Sequence, residues 1–149
     1  MRKALVAALP LLMLTACGSD ESADDGPLTL TFDGSSCVYE GPDTLSPGSA
    51  EFSFSNETEE IATHAIVHIT ADDITLDDVQ RLSETDPEWD GSPGSLGEGG
   101  AEIVSGGTTT MPDRSTESTV DLTAGPYYFV CMYNSLENFT YGGGITVEP

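Results

Sequence analysis

Near its C-terminus the chain contains the stretch Ala124-Gly125-Pro126-Tyr127-Tyr128-Phe129-Val130-Cys131. Its aromatic and β-branched side chains, which follow turn-forming residues, predict a strand over residues 126–133. We expect residues 144–147 to form the strand that pairs with it. The C-terminal part of the chain is therefore predicted to be a β-sheet.

The residues that precede this stretch are predicted to form a series of short strands. Leu28, Leu30 and Phe32 alternate with threonines, which is typical of a half-buried strand. Further strands are predicted at residues 36–40, 50–55, 63–70, 101–105 and 115–122. Thr75 and Asp78 have the spacing of a capping box, which predicts one short helix over about residues 76–84. About seven or eight strands separated by turns indicate an all-β sandwich.

Three segments resemble the cupredoxins, the small copper-protein sandwiches. Residues 124–131 resemble their G-x-Y-x-F-x-C strand, and residues 142–147 (GGGITV) resemble their closing G-M-x-G-x-I-x-V strand. Residues 52–56 (FSFSN), followed by His64, are similar to their F-x-N…H segment. The resemblance covers most of residues 28–149. It implies one domain with a cupredoxin-like Greek-key β-sandwich of about seven to eight strands and one short helix.

The copper ligands that this resemblance implies are incomplete. A type 1 copper site needs two imidazoles, a thiolate and a weak axial thioether. His64 matches the first histidine and Cys131 the thiolate, but residues 132–141 contain no histidine. The axial methionine falls at Gly143 or Gly144, which have no donor side chain. A copper-binding, electron-transfer or copper-carrier domain with an atypical ligand set is the alternative to a copper-free one.

His68 does not complete the site. It lies four residues from His64 on the same strand and face, hence roughly 13 Å away. One ion cannot bridge that distance, because each metal–nitrogen bond is only about 2 Å long. His64 and Cys131 remain the candidate metal ligands.

The N-terminus resembles the export signal of a bacterial lipoprotein. Arg2 and Lys3 precede a short apolar run, which is too short to span a bilayer, and residues 14–17 (LTAC) resemble a lipobox. The resemblance implies removal of residues 1–16 and acylation of Cys17, with fatty acids such as palmitate. Residues 17–27 would then be an acidic tether on the extracytoplasmic face of the cell membrane. The alternative is an ordinary secretory signal that is cleaved nearby.

Two cysteines remain after Cys17, and they face an oxidising compartment. Cysteines in that setting most often pair, so we expect a disulfide between Cys37 and Cys131. A sulfur in a disulfide cannot be a copper thiolate. The disulfide is the favoured interpretation, and with it the absence of a metal cofactor. His64 is then expected to be hydrogen-bonded at the end of the domain.

The charge of the chain limits its partners. Without residues 1–16, the chain has two arginines, no lysine and 26 acidic residues, which gives a formal charge of −24. Nucleic acids bind through Lys and Arg, so they are excluded as partners. Anionic lipids are repelled as well, so contact with the membrane must come from the acyl chains. No acidic pair lies in an EF-hand-type calcium loop.

No catalytic motif is present, and we predict that the protein is not an enzyme. A nucleophile elbow, a zinc-protease motif and a phosphate loop are all missing from the sequence.

Four aromatic residues are candidates for a binding patch: Trp89, Tyr133, Phe139 and Tyr141. Alternatively, they cap the core, with Trp89 as a lid. The predicted function is a non-catalytic binding or structural role at the cell envelope, with an unidentified envelope protein or small ligand as the partner.

Overall fold

The computed structural model describes residues 27–133 and 139–149. Within them, nine strands and one α-helix follow one another along the chain. They are β1 (Leu28–Phe32), β2 (Cys37–Glu40), β3 (Thr44–Leu45), β4 (Gly48–Asn56), β5 (Ala62–Ile69), α1 (Leu76–Thr85), β6 (Ala101–Thr110), β7 (Arg114–Leu122), β8 (Gly125–Tyr133) and β9 (Thr140–Val147). A short 3₁₀ turn, Pro93–Leu96, lies between α1 and β6.

In the described part of the chain, the strands form two packed sheets. One has the order β2-β1-β4-β7 and the other the order β3-β9-β8-β5-β6. Most neighbours are antiparallel, whereas β1 is parallel to β4 and β3 is parallel to β9. The predicted all-β sandwich with one short helix is confirmed.

Alternation along the strands creates the core between the sheets. In β1 every second side chain is buried, and β4 contributes Phe52 and Phe54 to the same interior. Phe129 of β8 stacks on Tyr39 and lies 5.9 Å from the ring of Phe52. These aromatic contacts join the two sheets at the centre of the sandwich.

Strand β8 is buried on both faces. Tyr127, Phe129 and Cys131 point into the core between the sheets. Tyr128, Val130 and Met132 belong to a second apolar cluster on the outer face of the five-stranded sheet. Val79 of α1 is part of that cluster, so the helix covers this face. An uninterrupted apolar run is therefore what β8 requires.

Three features differ from the predicted elements. Strand β3 has only two residues, too few for a periodic pattern. Strand β6 continues to Thr110, past the predicted end at residue 105, because register shifts against β5 accommodate Gly106 and Gly107. Strand β9 begins at Thr140, four residues earlier than predicted.

The described segments contain no helix long and apolar enough to cross a membrane. The predicted signal peptide (residues 1–16), Cys17 and all of the predicted tether except Pro27 lie outside the described residues.

Candidate functional site

A disulfide joins the two sheets at the predicted pair of cysteines. The sulfur atoms of Cys37 and Cys131 lie 2.03 Å apart, and the Cα atoms 5.7 Å apart. Cys37 begins β2, an edge strand of the four-stranded sheet, and Cys131 lies on β8 inside the five-stranded sheet. Cys131 is fully buried, whereas Cys37 keeps 8% of its surface exposed. Both cysteines therefore belong to the core between the sheets.

Gly142 of β9 provides the space for this disulfide. A Cβ atom added there would lie 2.5 Å from the sulfur of Cys37 and 2.9 Å from Cδ1 of Leu30. Side chains do not approach one another that closely, so glycine is required by packing at this position.

His64 lies next to Cys131 in the sheet. The two residues are register partners on β5 and β8, and both side chains point into the sandwich. The imidazole is only 2% exposed and packs against the rings of Phe52 and Phe54, at centroid distances of 5.1 and 4.7 Å. Burial lowers the pKa of His64 to about 4, so the ring is neutral at pH 7.

The Nδ1 atom of His64 is buried and has no hydrogen-bond partner in the described structure. The expectation of a hydrogen-bonded histidine is therefore wrong for this atom. The physical reason is that phenylalanine rings surround the imidazole, and they offer neither a donor nor an acceptor. Buried polar atoms without partners are rare and often mark a place where an ion or another group can bind.

His68 belongs to a different part of the sandwich. Its ring stacks on Tyr127 at 4.4 Å with an interplanar angle of 10°, and its Nδ1 lies 3.5 Å from Oε1 of Glu102. A Cβ atom at Gly125 would overlap this imidazole. The structure thus gives the two histidines separate environments, one enclosed and one beside a carboxylate.

The residues present do not fit a type 1 copper ion while the disulfide is formed. His64 and Cys131 are neighbours, as that site requires, but the sulfur of Cys131 is bonded to Cys37 and offers no thiolate. At Gly144, a Cβ atom would lie 2.6 Å from Cδ2 of Leu76, so there is no room for an axial ligand side chain. Across residues 27–133 and 139–149, no three His, Cys, Asp or Glu side chains are grouped so that they could hold a metal ion.

The four aromatic residues of the predicted patch do not lie together. Trp89, Phe139 and Tyr141 pack against the second apolar cluster, on the outer face of the five-stranded sheet. Tyr133 points to the opposite face and packs edge-on against Phe32, with the ring centroids 5.2 Å apart. Trp89 is half-buried and covers the cluster as a lid.

Two polar groups of these aromatic residues, on Trp89 and Tyr141, are wholly or partly withdrawn from solvent. Nε1 of Trp89 is buried without a hydrogen-bond partner in the described structure. Burial raises the pKa of Tyr141, and the carboxylates of Asp77 and Glu84 raise it further. Trp89, Phe139 and Tyr141 therefore mainly shield the second apolar cluster from solvent.

An apolar groove beside this cover was not predicted from the sequence. It has a volume of about 350 Å³ and lies between β5, β6 and the segment that precedes the 3₁₀ turn. Its main lining side chains are Val67, Pro93, Ile103, Val130, Met132 and Phe139. The signal in the sequence was the Gly106-Gly107 pair, which leaves this part of β6 without side chains.

No family model matches the chain, and none of the curated proteins does. Among solved structures, the chain is similar to the Na-dithionite-reduced auracyanin of the photosynthetic bacterium Roseiflexus castenholzii. That protein is 17% identical, with 81% of this chain and 95% of that chain covered and a TM-score of 0.45.

Two further auracyanins are similar. Auracyanin A of the green thermophilic photosynthetic bacterium Chloroflexus aurantiacus is described as a "blue" copper protein. It is 16% identical, covers 83% of this chain and 100% of its own, and gives a TM-score of 0.47. Auracyanin B is 14% identical, with 83% and 88% covered and a TM-score of 0.44. At these identities the function of the chain has to be inferred from its own residues.

Proposed function

We propose that this protein is a membrane-anchored extracytoplasmic lipoprotein whose cupredoxin-like domain works without copper. Its role would be non-catalytic, either binding or structural, at the cell envelope. One observation carries the copper-free part: the sulfur of Cys131, the position of the copper thiolate in the resemblance, is bonded to Cys37. A blue copper centre depends on the thiolate–metal bond, which a disulfide sulfur cannot form.

The environments of the two histidines support a role that is not enzymatic. A general base has to reach a proton of its substrate or nucleophile, and it is usually oriented by a second hydrogen bond. His64 is enclosed by phenylalanine rings, and its Nδ1 has no partner in the described structure. His68 is held against Tyr127 and Glu102. Neither arrangement is that of an activated catalytic pair.

The proposed location rests on Cys17 and its surrounding residues. The lipobox-like sequence supports acylation, and a disulfide in the folded domain is in keeping with an oxidising compartment. The partner would be an envelope protein or a small ligand that tolerates a strongly acidic surface.

A thiol count and a copper addition test the copper-free state. The mature acylated protein, purified from the producing bacterium in detergent without reductant, should contain no free thiol after denaturation, because Cys17 carries the lipid and Cys37 is bonded to Cys131. Added Cu(II) should produce no intense visible band from thiolate-to-copper charge transfer. An intense blue band in the oxidised protein would contradict the proposal and favour the alternative, a copper protein with an atypical ligand set.

Labelling with palmitate in the producing bacterium tests the anchor. Label should enter the wild-type protein and be lost in Cys17→Ser, which should leave the membrane fraction. Ser19→Ala is the matched control, because it changes a neighbouring residue outside the lipobox, and it should keep both label and location. Equal labelling of wild type and Cys17→Ser would rule out this anchor.

A further inference from the structure

We propose that two copies of this chain pair edge to edge through β7, antiparallel and centred on Ser118, and thereby form a two-fold dimer. The pairing would join the two four-stranded sheets into one continuous sheet. It goes beyond the proposed function, which concerns a single domain. Three features point to a second copy as the partner: the regularity of this edge, the placement of its charges and one buried hydroxyl group.

The edge formed by β7 differs from the other three sheet edges of the described structure. Strand β2 has four residues, β3 has two, and β6 has two register shifts against β5. Strand β7 has nine residues and pairs with β4 along its whole length without a register shift. Edge strands are usually short or bulged, because a long regular edge is a template for another strand. Strand β7 has neither of these protections.

The outer side of β7 is able to form a further strand ladder. Among the described residues, β4 is the one strand that is hydrogen-bonded to β7. Alternate residues of a strand direct their N–H and C=O groups to opposite sides, so about half of these groups in β7 point away from β4. An added antiparallel strand would pair with them, as in peptide recognition by strand addition.

The charges of β7 fit a second copy of the same strand in one register. With Ser118 at the centre all nine residues overlap, and Ser115 faces the partner's Asp121. Glu117 then faces the partner's Thr119, so no like charges are directly opposed. A centre at Glu117 would oppose the two Glu117 carboxylates, and a centre at Thr119 would oppose Glu117 to the partner's Asp121. Like charges in such positions destabilise a strand pair, which favours the register centred on Ser118.

The hydroxyl group of Ser118 lies at the midpoint of β7. Its Oγ atom is buried and has no hydrogen-bond partner in the described structure. Its register partner on β4 is Phe52, whose side chain has no polar atom. Directly opposite residues of an antiparallel pair have Cβ atoms about 4.5–5.5 Å apart, so rotation about χ1 can bring the two Ser118 hydroxyls into hydrogen-bonding distance. The dimer would thus satisfy a group that the single chain leaves unpaired.

The acidity of the chain sets the conditions under which the dimer forms. Both copies are strongly acidic, and Glu117 and Asp121 are exposed on β7 itself. Repulsion between the copies opposes association at low ionic strength, and dissolved ions screen it. We therefore expect the dimer to become more stable as NaCl is added.

Sedimentation equilibrium of the mature acylated protein tests the dimer, with detergent micelles in large excess over chains. At about 0.1 mM chain we expect a monomer–dimer mixture in about 0.5 M NaCl and mostly monomer in about 0.05 M NaCl. A wild-type protein that remains monomeric in the higher salt would overturn the inference.

Charge variants of Ser115 test the register. Ser115→Lys would face the partner's Asp121 and should lower the Kd of the dimer about threefold or more, whereas Ser115→Glu should raise it by a similar factor. Thr31→Lys and Thr31→Glu are matched controls, because Thr31 lies in the same row of the sheet but two strands from the edge. Far-UV circular dichroism checks that all four variants are folded. Equal changes of Kd at the two positions would mean that net charge alone governs association, and would contradict pairing through β7.

Cross-linking in membranes of the producing bacterium locates the interface. In the proposed register Thr119 lies diagonally opposite the partner's Thr119, about 7–8 Å away, so Thr119→Cys should yield a product of two chains with a short bis-maleimide. Thr31→Cys should not, because five strand spacings, about 24 Å, would separate the two thiols. Equal cross-linking of both variants would indicate random contact, and a product with a chain of another mass would identify a different partner. Either result would overturn the proposed dimer.

Discussion

At the residue scale, the buried imidazole of His64 makes the stability of the sandwich depend on pH. Its imidazole is enclosed by Phe52 and Phe54, and a proton added there would place a charge in an apolar interior. Its pKa is lowered to about 4 from the value of 6.5 of an unfolded chain. As the pH falls below about 6.5, the unfolded state takes up the proton first, so the stability of the fold decreases until the pH reaches about 4.

The first prediction follows from this difference. Between pH 7.5 and 5.0, His64 should contribute a loss of about 2 kcal/mol to the free energy of unfolding. In His64→Leu this part of the pH dependence should disappear, whereas His68→Leu should retain it. Denaturant unfolding at a series of pH values measures all three proteins. An unchanged pH dependence in His64→Leu would show that the imidazole is solvated in the folded state.

Gly142 is a second residue whose role depends on the disulfide. We predict that Gly142→Ala lowers the free energy of unfolding by about 1–3 kcal/mol, because the added Cβ would lie 2.5 Å from the sulfur of Cys37. Gly94→Ala is the matched control, since its Cβ would meet its nearest neighbour, Oγ of Ser92, at 3.5 Å. The two variants are compared by denaturant unfolding. Equal losses in both would mean that the interior around Cys37 can relax.

The sequence allowed some of these residues to be predicted, and physical reasons explain the others. The pairing of Cys37 with Cys131 was predicted from the oxidising compartment and from the number of cysteines alone, because two cysteines in such a compartment usually form a disulfide. Gly142 was identified only as part of a family-like segment, since a close approach between β9 and the disulfide depends on how the sheets pack. The missing partner of His64 could not be predicted either, because strand periodicity indicates only the face of a side chain.

At the element scale, α1 begins with the capping box predicted from its sequence. Oγ1 of Thr75 accepts from the backbone N–H of Asp78, and the carboxylate of Asp78 accepts from the N–H and the hydroxyl of Thr75. Hydrogen bonds from Thr75 and Arg81 lower the pKa of Asp78 to about 2. The box fixes the start of the helix that covers the second apolar cluster.

We therefore predict that Thr75→Ala lowers the free energy of unfolding by about 1 kcal/mol, the usual cost of a lost N-cap. Thr85→Ala, at the other end of α1, serves as the control. Its hydroxyl donates to the carbonyl of Arg81 within the helix, so its loss leaves no N–H unpaired, and the change should be below about 0.5 kcal/mol. Thermal and denaturant unfolding measure both variants. A larger loss in Thr85→Ala would contradict the importance of the box.

Strand alternation explains which part of the aromatic patch was predictable. Residues 129, 131 and 133 share one face of β8, so Tyr133 had to point into the sandwich together with Cys131. This alternation could have been read from the sequence. Grouping Tyr133 with Phe139 and Tyr141 because they are close along the chain gave the wrong face for Tyr133. By contrast, the position of Trp89 over the second cluster depends on a long connection without periodicity, which a sequence pattern does not determine.

At the scale of the whole molecule, the acidic surface opposes the compact state. The full chain carries a formal charge of −22. In the described segments, Arg81 forms an ion pair with Asp78, and the imidazole of His68 lies 3.5 Å from Glu102, so most carboxylates have no cationic neighbour. Like charges that folding brings together repel one another, and dissolved ions screen this repulsion.

Stability should therefore rise with ionic strength. Raising NaCl from about 0.05 to 0.5 M, which shortens the Debye length several-fold, should increase the unfolding temperature. The same series at about pH 4, where many carboxylates are protonated, is the control and should give a smaller increase. Differential scanning calorimetry measures both. A fall in the unfolding temperature with salt at neutral pH would show that favourable ion pairs outweigh the repulsion.

The disulfide has the largest predicted effect on the stability of the whole sandwich. It joins residues that are 94 positions apart and connects the edge of one sheet to the interior of the other. Closing so long a loop restricts the unfolded chain, which stabilises the fold by about 4 kcal/mol in the chain-entropy model. A domain of this size is typically stable by about 5–15 kcal/mol, so the reduced sandwich should remain folded under mild conditions.

Reduction should thus lower the free energy of unfolding by about 4 kcal/mol. It should also steepen the slope of that free energy against denaturant concentration, because the reduced unfolded chain is less compact. Denaturant unfolding with and without a dithiol measures the change, and Cys37→Ala/Cys131→Ala should match the reduced protein. A reduced protein as stable as the oxidised one would mean that the strands, and not the covalent bond, hold the two sheets together.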